Sequence, residues 1–313
     1  MTGVASTNAD EVNAVDAVTA IQQVAPAAIS GVVTASGDAD SAVRARLADG
    51  ATVTVPVDPA EGVLVAGAGT APDVRIGLPF AGRASQAAAS QMQGVVVYDN
   101  NNGSSTVPVA HTDGRVQITT VIENKDAPKR YDYAIQAGTG TRLRVNDDGS
   151  ATLSDQAGVP LVGVAAPWAK DANGANVSTH FEVDGQTLVQ VVDFSEETAF
   201  PVVADPTASY YSYNCVLQNG SSYFLAPGAK LSTCKGSRLQ KYINGRMVQT
   251  IALTGYGYPG NPAAFGTLDC VVAILGAAAS VYGIGGAVVL TAKGAVAWLG
   301  LGTSVYGLKS CTG

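Results

Sequence analysis

The stretch GVVVYDNNNGSSTVPVAHTDGRVQITTVI (94–122) decides the fold class. Its runs of β-branched residues, GVVVY (94–98) and VQITTVI (116–122), have the composition of strands, and Asn102-Gly103 and Asp113-Gly114 punctuate them. Such pairs supply the positive φ that tight hairpin turns demand. The same grammar runs outward in both directions. ATVTVPV (51–57), TRLRV (141–145), FEV (181–183) and TLVQVV (187–192) read as strands, with further turn pairs at Asp148-Gly149, Asn173-Gly174 and Asp184-Gly185. No helical pattern alternates with these strands, which argues against an α/β enzyme fold and predicts an antiparallel β-sandwich-like module.

One helix precedes the strands. Residues 9–24, ADEVNAVDAVTAIQQV, place Val12, Val15, Val18, Ile21 and Val24 at three-residue steps, which predicts a short amphipathic helix stopped by Pro26. The N-terminus has no basic segment followed by an apolar one, so no signal peptide stands in this chain. A mature end is expected there, with Met1 supplied by an alternative start.

The 313 residues suffice for two modules with cores of their own, and the charge divides them. Residues 1–206 hold 24 acids and 11 bases; residues 207–313 hold one acid, Asp269, and seven bases. The net charge of −7 for the whole chain leaves no basic excess for nucleic acid. Cys215, Cys234, Cys270 and Cys311 all lie in the second part, an even count that reads as disulfides and an oxidising compartment. Four cysteines allow three connectivities; Cys215–Cys234 with Cys270–Cys311 is preferred, because each pair closes one local hairpin. Zinc is disfavoured by the absence of a C-x2-C pair and of a nearby His.

Chemistry is sparse. His111, one residue from a turn, is expected to be a surface hydrogen-bonding side chain, and His180 shares a strand face with Glu182 but finds no third metal ligand. Asp99 to Gly103 is oxygen-rich yet lacks the Gly and Glu positions of an EF-hand, so it reads as a polar turn. No nucleophile elbow, Walker loop or dinucleotide fingerprint is present. The expectation is therefore no catalytic, cofactor or metal residue, and no enzyme.

The series VTVPVDPAEGV (53–63), VVVYDNNNGSSTVPV (95–109), VQITTVIENKDAPKRYDYAI (116–135), APWAKDANG (166–174), THFEVDGQTLVQVVDF (179–194) and FPVVADP (200–206) resembles the front module of secreted actinobacterial proteins. In that group a β-rich stretch ends in a PVVADP-like linker, followed by C-terminal regions of differing kind. The resemblance covers about residues 10–206 and implies a secreted or cell-envelope location and modularity. It brings no catalytic residues and no substrate.

Residues 207–261 read as a cationic β-meander in which Lys230, Lys235, Arg238, Lys241 and Arg246 lie among tyrosines, a mixture suited to an anionic surface. From Cys270 to Ala292 there follow 23 residues without a charge, long enough as a helix to span a hydrocarbon layer ~30 Å thick. After Lys293 a second run of 15 reaches Lys309. Together they predict an apolar helical hairpin closed by Cys270 and Cys311, with small residues spaced for close helix packing and for self-association. Three readings stay open: a membrane-inserting toxin-like hairpin, a transmembrane anchor, and a buried soluble hairpin.

The sequence thus predicts a mainly β chain with a small α part: an N-terminal helix (1–30), an acidic antiparallel β module (31–206), the meander (207–261) and the apolar hairpin (262–313). The expected function is that of a secreted, non-enzymatic, bacteriocin-like protein acting on membranes. Lys230, Lys235, Arg238, Lys241, Arg246, Lys293, Trp298 and Lys309 are expected at the anionic surface, with the lipid membrane or cell envelope as partner. The alternative is a wall-binding surface protein whose hairpin anchors or packs. The segment 200–210 is expected to be a linker open to proteolysis.

Overall fold

The computed structural model describes residues 5–252, apart from 36, 48–50, 68–71, 113, 157, 159, 210, 226–232 and 244–245, together with 288–289. The chain is mainly β, in antiparallel sheets, and divides into two compact units, Met1–Tyr210 and Tyr211–Gly313.

The first unit holds two sheets. One has seven strands in the order β1 (Ser41–Arg46), β2 (Thr52–Pro56), β3 (Val63–Ala66), β4 (Val74–Ile76), β9 (Arg130–Gln136), β15 (Thr187–Val192) and β14 (Thr179–Asp184). The other contains β5 (Ala88–Ala89), β6 (Val96–Asp99), β7 (Ser104–Ala110), β8 (Arg115–Ile122), β10 (Arg142–Val145), β11 (Ala151–Ser154), β12 (Pro160–Val164), β13 (Ala169–Lys170), β16 (Val202–Ala204) and β17 (Thr207–Ser209). Inward residues of both, among them Val53, Val65, Tyr133, Ile118, Leu153 and Val162, form one shared core.

A third layer lies on the far side of the larger sheet. There α1 (Ala5–Val24) packs Ala14, Ala17, Val18, Ile21 and Val24 against Val97, Val107, Val109, Val121 and Val203. The central strands are consequently covered on both faces, and all seven residues of β7 are buried. Strict three-residue steps do not describe the contact face. Each step turns a helix by 300°, so five such positions drift round most of its circumference. Val15 accordingly stands 40% exposed, while the face that packs follows the i, i+3, i+4, i+7 rhythm from Ala14 to Ile21.

The glycine of each turn pair supplies the expected positive φ, and four hairpins share one further device. In four hairpins the residue that opens the turn donates its N–H to the carbonyl four positions on: His111 to Arg115, Asn146 to Ser150, Asp171 to Ala175 and Leu217 to Ser221. The Gly before the closing residue returns an N–H to the opening carbonyl. Gly149 and Gly220 have φ of 82° and 86°, whereas Asp148 and Asn219 keep negative φ. These are type I turns followed by a left-handed Gly, so the Asx residue serves as a cap: Asp148 Oδ1 and Asn219 Oδ1 each accept the N–H of the following Ser.

The segment 200–210 is no linker. β16 pairs with β8 on one side and β13 on the other, β17 pairs with β8 and β12, and Val202, Val203, Ala204 and Asp205 are fully buried. Cleavage there would have to open the middle of the sheet, so proteolytic separation at this point is set aside.

The second unit contains the sheet β19 (Ser222–Leu225), β18 (Tyr211–Val216), β20 (Arg238–Ile243), β21 (Arg246–Ala252) and β22 (Val288–Val289), in that order, so β18 lies between β19 and β20 and the strands do not follow one another as the expected meander. Apart from Val288–Val289, the predicted hairpin from Cys270 to Cys311 lies outside the described residues.

The helix face gives a direct test. Ile21→Ala should cost about 2–4 kcal/mol in urea unfolding, because Ile21 is fully buried beneath the helix, whereas Val15→Ala should change stability by less than about 0.5 kcal/mol. Equal losses would show that α1 packs on another face.

Candidate functional site

The second unit is built round the disulfide between Cys215 in mid-β18 and Cys234 in the connection from β19 to β20, with Cα atoms 5.3 Å apart. This is one of the two expected bridges; Cys270 and Cys311 lie outside the described residues. Both sulfurs are buried. Tyr223 sits opposite Cys215 in the ladder, and its hydroxyl donates to the Thr233 carbonyl (2.7 Å) while accepting the Lys235 N–H (2.7 Å). The residues on either side of Cys234 are thus clamped by one phenol. Gly236 donates its N–H to Cys215 Sγ at 3.0 Å, and a Cβ there would lie 2.2 Å from the Val216 carbonyl oxygen. No side chain other than hydrogen fits between strand and bridge.

The cationic residues do not form one described face. Arg238 and Lys241 are three apart on β20, an odd step, so they point to opposite sides of the sheet. Lys241 lies in register with Tyr213, on the side that buries Cys215 and Leu239, while Arg238 is exposed on the other. Lys235 is exposed beside the clamped turn. The side chain of Arg246, and Lys230, Lys293, Trp298 and Lys309 altogether, lie outside what the structure describes. No helix among the described residues is long and apolar enough to cross a membrane.

In the first unit His111 is a buried tether rather than a surface side chain. It is 1% exposed, and its Nδ1 donates to the Ser30 carbonyl at 2.9 Å, tying the chain after α1 to the β7–β8 turn. His180 is half exposed, with Glu182 Oε1 3.5 Å from Nε2 and Asp193 Oδ2 3.8 Å from Nδ1. The two carboxylates approach opposite ring nitrogens and so do not converge on one point. Among the described residues no three metal-ligating side chains are grouped. Arg130 completes this surface by binding Asp132 (3.1 Å) and Glu182 (3.0 Å), reaching from β9 to β14 across the buried Val189 of β15. The polar turn is structural: Asp99 accepts the Asn101 N–H and the Asn13 amide of α1, and Asn100 donates to Ser104 and Thr106.

Sequence reading missed Asp205, the one fully buried carboxyl in the described part of the unit. Pro206 has no N–H, so it interrupts the ladder between β16 and β17. The Asp205 N–H reaches the Trp168 carbonyl at 3.3 Å, and its carboxyl accepts the Trp168 N–H at 2.9 Å and the Thr207 hydroxyl at 3.2 Å. A side-chain oxygen thus takes the Trp168 N–H where the ladder breaks off. Burial pushes this carboxyl up to about 7, against the lowering effect of its hydrogen bonds. The only hint in the sequence is an acid between Ala and Pro inside an apolar run, a pattern that also fits an exposed turn.

The sign of the linkage follows. The folded chain holds a proton between about pH 4 and 7 that the unfolded chain releases, so stability from Asp205 is fully present in acid and falls as pH rises through 7. Asp205→Asn keeps an acceptor for Trp168, and should flatten the urea-unfolding profile between pH 5 and 8 and gain up to about 4 kcal/mol at pH 8. An unchanged slope would place the titration elsewhere. Separately, Gly236→Ala should lower Tm and leave two titratable thiols after mild oxidation, whereas Ser237→Ala should leave the bridge intact. The chain matches no family model, no curated protein and no solved structure.

Proposed function

We propose that the chain is a secreted, non-enzymatic protein whose cationic, disulfide-held C-terminal part acts on lipid membranes, in the manner of a bacteriocin-like toxin, with the acidic β unit as its carrier. The observation that carries this reading is the Cys215–Cys234 bridge, which belongs to an oxidising compartment and stiffens the basic sheet. Beyond that sheet the sequence supplies 23 uncharged residues that match the thickness of a bilayer core as a helix. In this proposal Cys270 and Cys311 close the apolar hairpin, and the basic residues on the sheet and at the hairpin's ends meet anionic headgroups.

A second reading has one observation in its favour. Val288–Val289, inside the uncharged run, pair in parallel with Ile251 and Ala252 of β21. A strand there takes its backbone partners from the sheet, as a soluble packed segment does, and the protein is then an envelope-binding one whose tail is part of its core.

Dye release separates the two. The oxidised full chain should empty vesicles containing anionic lipid, spare zwitterionic ones, and lose most of its effect after reduction and alkylation. A monomeric full chain that empties neither would sink the membrane reading.

A further inference from the structure

The outward face of β1 to β4 is basic within an acidic unit. Alternation sends Val43, Val53, Val65 and Val74 into the core, and the positions between them carry Arg44, Arg46, Thr52, Thr54, Leu64 and Arg75. Register sets Arg44, Thr54, Leu64, Arg75 and Gln136 side by side across five strands, with Arg46 beside Thr52 in the adjoining row. These four strands contain three arginines and no acid, in a module with 24 acids and 11 bases. Arg46 makes no ion pair or side-chain hydrogen bond among the described residues. Arg44 has a loose pair with Asp38 at 3.5 Å, both side chains more than half exposed, and Arg75 donates to the Glu61 carbonyl. Each guanidinium has five N–H donors, so all three retain donors for a ligand.

We propose that this face binds a linear phosphodiester polymer of sugars or polyols. Each of the pairs Arg44–Thr54 and Arg46–Thr52 sets a planar donor fork beside a hydroxyl, the combination that suits a tetrahedral phosphate. Two residues along β1 separate the pairs by about 7 Å, within the reach of a three-carbon link between successive phosphates. Arg75, three strands away at about 14 Å, serves a further phosphate of the same chain. The face carries no aromatic residue, so it offers no stacking platform for bases, which turns the reading away from nucleic acid. The acidity of the module does not prevent this. At physiological salt the Debye length is about 8 Å, so charges on other faces are screened. This site lies in the first unit and is independent of the membrane action proposed for the second.

The test uses the full chain and purified poly(glycerol phosphate), with polygalacturonate, neutral dextran and vesicles of anionic lipid as parallel probes. The polymer should bind with a log–log salt slope near −2, from about 0.7 per phosphate over three contacts. Arg44→Gln/Arg46→Gln should weaken it at least tenfold, Thr52→Val/Thr54→Val several-fold, and Arg142→Gln/Arg144→Gln on the exposed edge of β10 should leave it unchanged. All variants should keep the parent Tm within about 2 °C, and vesicle leakage should be the same in all of them. Equal binding of polygalacturonate, equal loss in the β10 variant, retention in the arginine variant, or preference for vesicles over polymer would each overturn the proposal.

Discussion

β8 has to satisfy more neighbours than any other strand in the first unit. It pairs with β7 along seven residues on one edge and with β16 and β17 on the other, while one face meets the second sheet and the other meets α1. A strand enclosed on four sides is shielded from water, so its polar groups depend on protein partners, and Thr119 Oγ1 is buried with none. Thr120 meets the Tyr133 hydroxyl at 3.1 Å, and burial raises that phenol far above its ordinary range. Ile118 and Val121, one residue either side of Thr119 and Thr120, fill the two opposing cores. The sheet to one side and the helix to the other are held in place because this strand cannot tolerate losing either.

That enclosure explains what a sequence could show. Turn residues act locally, so Gly149 and Gly174 could be read directly from the sequence, and the capping Asp148 came with the first of them. β9, where Tyr131, Tyr133 and Ile135 alternate with exposed residues, carries the period of a half-wet strand, yet it is absent from the strands read in the sequence. Alternation is absent in β7 and β8, whose two faces are equally dry and where Ser and Thr stand among the valines, so β8 was legible by its β-branched composition alone. α1 was visible as a helix, but with a valine-counting rule that ignored alanines. Ala14 and Ala17 are what allow it to lie close to the sheet.

The segment 200–210 shows the limit of local reading most clearly. Two prolines and an acid carry the local marks of a connector, yet the partners that make it a strand are about 80 residues earlier, in β8. Pairing over that separation leaves no trace in a short window. The same break that makes the segment look like a connector makes Asp205 necessary. Proline removes a donor and interrupts the ladder, and a carboxyl then holds the displaced Trp168 amide. A buried carboxyl is tolerable only because it receives two hydrogen bonds and can stay protonated into the neutral range.

The second unit solves a different problem. Its described part is a single sheet of five strands, and small sheets gain most from a cross-link. Among the described residues the buried side of the sheet holds Tyr213, Cys215, Leu225 and Leu239. A covalent bridge limits the unfolded chain, and Tyr223 adds a clamp that costs no charge. The acidic unit spreads carboxylates over turns and edges and leaves them off β1 to β4. Charge is therefore segregated twice, once between the units by sequence and once within the first unit by sheet register, and only the first of these divisions is visible without the fold.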